Sequence, residues 1–364
     1  MCIFRRLRSR RPPGCRIRFT WPLLVAALMP GCTPFHEDGG AQDSDATDVT
    51  LSDVPTPSAT VESGSTVDAA GASQGNPPAS PRCDITKPFS TPVFVPGLGE
   101  PSAVWIGGLR LSPDGLTGYF FMNYGPDGAS SSKLYEAARL SEGAPFGNAI
   151  NLAVDSAYAA VDQFDPTVSG SGLTLVFEYS SSTPTGTLPQ LGALTRASTA
   201  VPFSAIGWVL GIDGGLEADS PFFREDGAVL YFSSRWNVDG GSSQVFVAPW
   251  TQASLGAPIA VDLGSALTDD GDPVVTPDDL TIYFSSNRPD VQAQGGYDVW
   301  VATRVTASAP FSSFTNVTEL NSSYDDRPTF VSSDGCTLYF MRYFFDDIHP
   351  GGVFTQYVAD KPPP

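Results

Sequence analysis

The chain has 364 residues, with 39 acidic and 20 basic side chains and a formal net charge of −19. Such an excess of negative charge argues against binding to nucleic acids or anionic lipid surfaces, because both are polyanions. It suits a soluble protein in the periplasm or outside the cell.

The first 31 residues have the organisation of a bacterial signal peptide. Seven arginines lie within the first 18 residues, and the apolar stretch 19–29 that follows is too short to span a membrane. Residues 28–32, Leu-Met-Pro-Gly-Cys, resemble a lipobox, in which a small residue precedes a cysteine that becomes the lipidated N-terminus. We expect Cys32 to be lipidated and, from Thr33 after it, sorting to the outer membrane, facing the periplasm or the cell surface. An ordinary secretory signal with an incidental cysteine is the alternative.

Residues 32–82 have the composition of a linker. They are rich in Ser, Thr, Gly, Ala, Pro and Asp, and no Lys or Arg occurs from Thr33 through Pro81. Low hydrophobicity and charge of one sign cannot offset the entropy of folding. The sequence predicts a disordered acidic tether, with membrane contact only through the lipid anchor.

One pattern then recurs five times between residues 83 and 364. A Gly or Asp at a turn precedes an apolar or aromatic pair, and the turn residues are 52 to 57 residues apart. These turn residues are Gly115, Gly172, Gly227, Asp279 and Gly335. A fixed period of this size indicates stacked or radially arranged units.

Each repeat reads as four short strands. In the fourth copy, residues 272–275, 280–284, 298–302 and 314–320 are rich in β-branched and aromatic residues and are separated by turn residues. Four antiparallel strands in about 40 to 55 residues form one blade of a β-propeller. Phe89–Val95 resembles a fourth strand without the first three, and the last repeat ends on a third strand, 353–358. The prediction is an all-β, five-bladed propeller closed by the N-terminal strand in the last blade.

The repeats resemble those of a known family. Ser112-Pro113-Asp114-Gly115 and the stretches 230–234 and 283–288 are similar to the WD-like repeats of the TolB C-terminal β-propeller domain. The resemblance covers about three-quarters of the chain, but copy two departs from it, with Glu178-Tyr179 after Phe177. It implies a propeller fold and an envelope compartment. A role in the Tol system does not carry over, because the α/β domain that precedes the TolB propeller has no counterpart here.

Two cysteines remain in the propeller region. Cys336 opens strand two of the last blade, and Cys83 lies just before its strand four, so both are placed on one face. An even pair in an exported domain predicts a disulfide. Two unpaired buried thiols are the alternative.

A candidate binding face follows from the loops. Acids precede the first strand of four blades, and arginines and aromatic residues follow the second strands, so one face gathers them around the axis. The candidates are Asp165, Asp219, Asp272, Asp326, Arg235, Arg288, Arg342, Trp236, Tyr343 and Phe344. Aromatic rings stack on sugars and carboxylates bind hydroxyl groups, whereas the structural interpretation is that each Asp caps a turn or pairs with an arginine. A site is favoured where the repeat is broken, which points to the loop 343–347.

These features predict a non-catalytic binding or scaffold module for an unidentified protein or glycan, with no cofactor or metal. The enzymatic alternative is a glycoside hydrolase, in which Asp165, Asp219 and Asp272 act as axial carboxylates. Convergence of carboxylates in an axial pocket distinguishes this alternative from a binding module. The chain has only two histidines and no Gly-x-Ser-x-Gly motif, which argues against a serine hydrolase or a zinc site.

Overall fold

The computed structural model describes residues 82–98, 105–123, 131–152, 161–183, 186–208, 217–235, 241–251, 254–265, 267–344 and 352–364. All of them belong to one compact unit, Gln74–Pro364. The signal segment, Cys32 and nearly all of the linker lie outside the described residues, so these assignments stay predictions. None of the described residues form a helix of the length and apolarity needed to cross a membrane.

The described residues form five small antiparallel sheets, the blades of a five-bladed propeller, as predicted. The first strand among the described residues is β1 (Val93–Phe94). Blade one contains β2 (Trp105–Leu111), β3 (Thr117–Asn123), β4 (Lys133–Ala138) and β5 (Ile150–Asn151). Blade two contains β6 (Gln163–Val168), β7 (Thr174–Thr183), β8 (Gly186–Thr195) and β9 (Ser204–Trp208).

The remaining three blades repeat this plan. Blade three contains β10 (Asp219–Phe223), β11 (Val229–Ser234), β12 (Gln244–Thr251), β13 (Ser254–Leu255) and β14 (Ile259–Ala260). Blade four contains β15 (Asp270–Val275), β16 (Thr281–Ser286), β17 (Asp298–Thr303) and β18 (Ser312–Asn316). Blade five contains β19 (Asp325–Val331), β20 (Thr337–Phe344) and β21 (Val353–Asp360), with β1 as its outer strand.

The N-terminal strand closes the ring as the sequence predicted. Val93 lies opposite Val358 and Phe94 opposite Tyr357 in an antiparallel pair. The Ser90 N–H donates to the carbonyl of Asp360 at 2.8 Å, which continues the contact upstream of the strand. Cys83 and Cys336 form a disulfide with a Cα–Cα distance of 5.7 Å, so the predicted pairing is also confirmed.

The periodic turn residue has a conformational cause. It adopts a left-handed φ in every repeat, between 60° and 70°, a region open to glycine without a Cβ clash. The aromatic residue of the following strand is then fully buried between adjacent blades. These core residues are Phe120, Phe177, Phe232, Phe284 and Phe340, each at most 1% exposed. The sequence repeat therefore reflects two structural requirements: a left-handed turn between the first two strands of each blade, and a large apolar residue on the second strand that fills the core between blades.

Candidate functional site

The inner strands of the five blades form a closed ring, because each packs against the inner strands of its two neighbours. Each inner strand carries one extra residue relative to its partner strand, a β-bulge. Four of the bulges have a left-handed residue at the equivalent position, namely Gly108, Asp165, Ser220 and Asp272. For the three that are not glycine this conformation costs free energy, and such strain concentrates at functional sites.

Asp272 is the most extensively hydrogen-bonded member of this ring. Its carboxylate accepts hydrogen bonds from the hydroxyls of Ser220, at 3.0 Å, and Ser285, at 2.6 Å. An Arg327 guanidinium nitrogen lies 3.4 Å from its Oδ2, and the Asp272 N–H donates to the Ser233 hydroxyl at 3.1 Å. Only 3% of Asp272 is exposed. Donors from blades three, four and five therefore hold the buried Asp272 carboxylate in place.

Two further aspartates share the axis with Asp272. Burial and the Asp272 charge raise the pKa of Asp165 to about 6, although Arg110 and Arg327 oppose the shift. Burial and the charges of Asp272 and Asp165 raise the pKa of Asp219 to about 7. Asp165 is buried, whereas Asp219 is half-buried and remains reachable by solvent. The sequence analysis named all three residues, and the structure brings them together.

The fourth carboxylate, Glu178, was not predicted. It lies on β7 opposite Phe164 and is half-buried, and it accepts a hydrogen bond from the backbone N–H of Ser220. Burial, followed by the charges of Asp219 and Asp165, raises the pKa of Glu178 well above its ordinary value. The equivalent positions in the other blades hold Phe121, Ser233, Ser285 and Met341. The signal was therefore present in the sequence as the departure of copy two from the repeat.

Four carboxylates in one desolvated cluster cannot all be ionised near neutral pH. Each added negative charge raises the pKa of its neighbours, so the cluster holds protons that isolated acids would have lost. The half-buried pair thus combines Glu178, whose pKa is raised well above its ordinary value by burial and by its acidic neighbours, with Asp219, whose pKa is about 7. Such a pair can donate one proton and accept another, as general acid–base catalysis requires.

Two arginines balance part of this charge. Arg327 contacts Asp272 and also Asp325, at 3.6 Å, and its guanidinium stacks on the Tyr297 ring at 4.3 Å. Arg110 is 2% exposed and donates to the carbonyl of Thr329. Burial lowers the pKa of Arg110 to about 10, with Asp165 and Asp272 acting in the opposite direction.

The other predicted site residues lie away from this cluster. Asp326 is fully buried and pairs with Arg342 at 2.7 Å. Arg288 pairs with Asp270 at 2.9 Å, which fits the structural interpretation of the repeated acids. Arg235 is exposed, with its nearest carboxylate, Glu217, at 3.7 Å.

Two of the predicted aromatic residues pack against other aromatic rings. The half-buried Tyr343 ring packs on Phe354, with centroids 4.7 Å apart, and Phe344 packs on Tyr324 at 5.8 Å. Trp236 and the loop residues 345–347 lie outside the described part of the chain. Within that part, no group of three or more His, Cys, Asp or Glu side chains could hold a metal ion.

Solved structures of known proteins share this architecture. No protein-family model matches the chain, and no curated protein matches it. A glycoside hydrolase structure superposes with a TM-score of 0.53 at 10% identity, over 76% of this chain and 93% of that one. A thermostable family-43 glycoside hydrolase gives a TM-score of 0.47 at 18% identity, covering 74% and 91%. TolB from Acinetobacter baumannii gives 0.41 at 12% identity, covering 70% and 54%.

The prediction of a non-catalytic binding or scaffold module is wrong. Solved structures that share this propeller fold include glycoside hydrolases, and acidic side chains from three blades lie close enough to interact at the inner strands. The error arose because the recurring acids were interpreted as turn caps or partners of arginines. Pairing with arginines accounts for Asp270 and Asp326, but it does not account for acids of different blades that meet at the bulges of the inner strands.

Proposed function

We propose that the chain is a glycoside hydrolase whose site is the axial carboxylate cluster. The observation that carries the proposal is the half-buried pair Glu178 and Asp219, backed by the buried Asp165 and Asp272. Hydrolysis of a glycosidic bond uses two carboxyl groups of opposite protonation state. Burial and mutual repulsion raise the pKa values of both carboxyl groups, which favours retention of a proton within the pair.

Glu178 is assigned the role of general acid. Its carboxyl proton passes to the glycosidic oxygen as the bond from that oxygen to the anomeric carbon breaks, so the leaving sugar departs as a neutral alcohol. Glu178 suits this role because burial and the charges of Asp219 and Asp165 raise its pKa well above the ordinary value and so favour its protonated form. The ionised product, the Glu178 carboxylate, recovers its proton before the next turnover.

Asp219 is assigned the role of the second catalytic carboxylate, the general base or nucleophile. In its ionised form it assists the attack on the anomeric carbon, either by removing a proton from water or by bonding to the carbon itself. The configuration of the first product distinguishes these two routes, since the first inverts and the second retains. Asp165 and Asp272 are too buried to be the principal contacts of a substrate, and they act by raising the pKa values of the half-buried pair.

The substrate class follows from charge. An axial cluster with four acids and two arginines inside a chain of net charge −19 repels polyanions. Neutral glycans are therefore favoured over acidic polysaccharides. A carbohydrate was one of the two partner classes predicted from the sequence.

The test is hydrolysis of a panel of neutral polysaccharides and aryl glycosides, followed by chromatography of the released sugars. Glu178→Gln and Asp219→Asn should each lower kcat by about 10²- to 10⁴-fold. Asp278→Asn is the matched control, because Asp278 is an exposed turn acid that bonds only Thr276 and Leu280. Failure of every substrate, or activity that survives both active-site substitutions, contradicts the proposal.

We further propose that the enzyme is an exported lipoprotein of the TolB-type repeat family. The support is the lipobox-like sequence ending at Cys32 and the acidic linker after it. Cys32→Ser should leave the protein unprocessed or release it from the membrane fraction. Unchanged fractionation of this variant with membranes rules out lipidation.

A further inference from the structure

A cavity lies at the end of the propeller axis opposite to the carboxylate cluster. Its volume is about 470 Å³, within the range of ligand pockets. The mouth includes the second turn residue of every repeat, one from each blade, namely Pro113, Gly170, Glu225, Pro277 and Ser333. These turns follow the inner strands, whereas Asp165, Asp219 and Asp272 lie in the first halves of those strands and Glu178 lies on the neighbouring strand β7. The cavity is therefore separate from the proposed hydrolytic site.

The inner walls of this cavity are apolar. Two residues before each mouth position, the inner strands supply Leu111, Val168, Phe223, Val275 and Val331. Phe222 and Phe330 add aromatic surface. The cavity also extends between blades five and one, where Val358 and Tyr339 line it. Such walls favour a ligand with an apolar body.

The buried charge in this cavity is positive. Arg110 is 2% exposed, and its Nε has no hydrogen-bond partner among the described residues. Arg139 is 8% exposed and donates to the carbonyl of Gly115 and the hydroxyl of Tyr339, at 2.8 and 3.2 Å. Neither guanidinium forms a salt bridge within the described part of the chain. Asp165 and Asp272 balance Arg110 only at longer range, from the opposite side.

The acids of the cavity are at its rim. Glu142, Glu225 and Asp360 are exposed, and Asp360 also lies 4.0 Å from Arg82. Exposed charges are screened by water, whereas charges in a desolvated interior interact strongly. An anionic group inside the cavity therefore interacts more strongly with the two buried arginines, neither of which forms a salt bridge within the described residues, than with the acidic rim.

We propose that this cavity binds a small amphipathic carboxylate, with its apolar body against the inner-strand ends and its carboxylate beside Arg110. A carboxylate in the cavity offers an anionic acceptor to the Arg110 guanidinium, which lines the cavity and forms no salt bridge within the described residues, whereas an alkyl chain alone offers none. The proposal is independent of hydrolysis, since no residue of the catalytic pair lines the cavity.

The test is calorimetric titration of the full chain with octanoate below its micellar concentration, with octan-1-ol as the uncharged counterpart. Octanoate should bind with a stoichiometry of one and at least about tenfold more tightly than octan-1-ol. Arg110→Met should weaken octanoate by about tenfold or more and leave octan-1-ol unchanged. Arg110→Lys, which keeps the cation, should retain most of the affinity.

Three further variants make the outcome decisive. Ser333→Trp fills the exposed mouth and should weaken both ligands. Arg235→Gln, at an exposed arginine outside the cavity, should change neither. Glu178→Gln should bind octanoate like the wild type, so a failure of the hydrolase proposal leaves this result intact.

Arg110→Met removes a buried charge opposite two acids, and its folding is checked by thermal unfolding. If it does not fold, Arg110→Lys and Ser333→Trp carry the test. The proposal is overturned if octanoate does not bind, if octan-1-ol binds equally well, or if Ser333→Trp leaves the binding of octanoate unchanged.

Discussion

The Ser220 hydroxyl of blade three donates a hydrogen bond to Oδ1 of Asp272 in blade four, over 3.0 Å. Both residues occupy the bulge position of their inner strands, and both have a left-handed φ. The bond therefore links two strained positions across a blade boundary and helps to hold the central carboxylate of the candidate site.

Ser220→Ala should lower the free energy of unfolding by about 1–3 kcal/mol, because a buried carboxylate loses a donor. Urea denaturation monitored by tryptophan fluorescence measures this change. Ser308→Ala is the control, since the Ser308 hydroxyl is exposed and contacts only Thr306. Equal stability of the two variants would show that Asp272 does not depend on Ser220.

The axial acids should make the protein less stable at alkaline pH. Asp219 has a folded pKa of about 7 against an ordinary value of 3.8, so the folded state binds its proton more tightly. The stabilisation of the folded state by this bound proton is complete below about pH 4 and is lost as the pH rises through 7. Asp219→Asn should therefore raise Tm relative to the wild type at pH 8.5 and lose this advantage at pH 4.5. Each kcal/mol of change in the free energy of unfolding shifts Tm by about 2–4 °C.

Differential scanning calorimetry at the two pH values checks this expectation. Asp326, whose pKa is also raised to about 6, pairs with Arg342 and contributes the same pH dependence to both proteins, so it cancels in the comparison. Asp165 and Glu178 interact with Asp219, so the measured difference includes the change in their titration when the Asp219 charge is removed. A Tm difference that does not change with pH would contradict the assignment of a raised pKa to Asp219.

The rate of glycoside hydrolysis should depend on pH as a bell. Activity should rise as Asp219 ionises near pH 7 and fall at higher pH as Glu178 loses its proton. An activated aryl glycoside has a leaving group that departs without being protonated. Glu178→Gln should therefore keep substantial activity on such a substrate, and its pH–rate profile should no longer fall at alkaline pH. An alkaline limb that persists in this variant assigns the general acid to another residue.

The Cys83–Cys336 disulfide should contribute strongly to stability. It joins residues 253 positions apart, for which the chain-entropy model gives about 5 kcal/mol before any strain is subtracted. Reducing agent should lower the Tm of the wild type. Cys336→Ala should have a similarly lowered Tm that reductant does not change further. Mass spectrometry of the exported protein showing two free thiols would exclude the bond in solution.

Asp279 replaces the glycine found at the same turn of the other four repeats, with a φ of 60°. Its carboxylate accepts a hydrogen bond from Tyr231 at 2.6 Å and pairs with Arg304 at 2.7 Å and Arg224 at 3.0 Å. Asp279→Gly should thus destabilise the fold by about 2–4 kcal/mol, although it restores the repeat and relieves backbone strain. Asp279→Asn tests the charge alone, and a more stable glycine variant would show that strain outweighs the ion pairs.

The architecture could be predicted because it depends on local chemistry repeated five times. A left-handed turn requires glycine or its nearest substitutes, and the buried strand after it requires large apolar residues, so both leave a mark at every period. The closing strand was found in the same way, since Phe89–Val95 is a fourth strand without a blade of its own. The disulfide followed once both cysteines were placed in that blade.

The site could be predicted only in part, because it depends on contacts between blades. The sequence marked Asp165, Asp219 and Asp272 as acids before strands, but their convergence results from bulges that no local pattern reveals. Asp326 looks equivalent to them in sequence, yet its carboxylate pairs with Arg342 in its own blade. Glu178 was visible as an exception to the repeat, and the same reasoning was applied to the loop 343–347 instead.

The two ends of the described chain meet in blade five, where the Asp84 N–H donates to the carbonyl of Pro362 at 2.9 Å. The chain therefore makes one circuit of the five blades and returns to the blade in which it started, so the two ends of the described region are adjacent. A short peptide could join residue 364 to residue 82, and new termini could be opened in an exposed loop between other blades. In such a circularly permuted chain the order of synthesis of the blades would change while the ring of inner strands, and the acids it holds, would not.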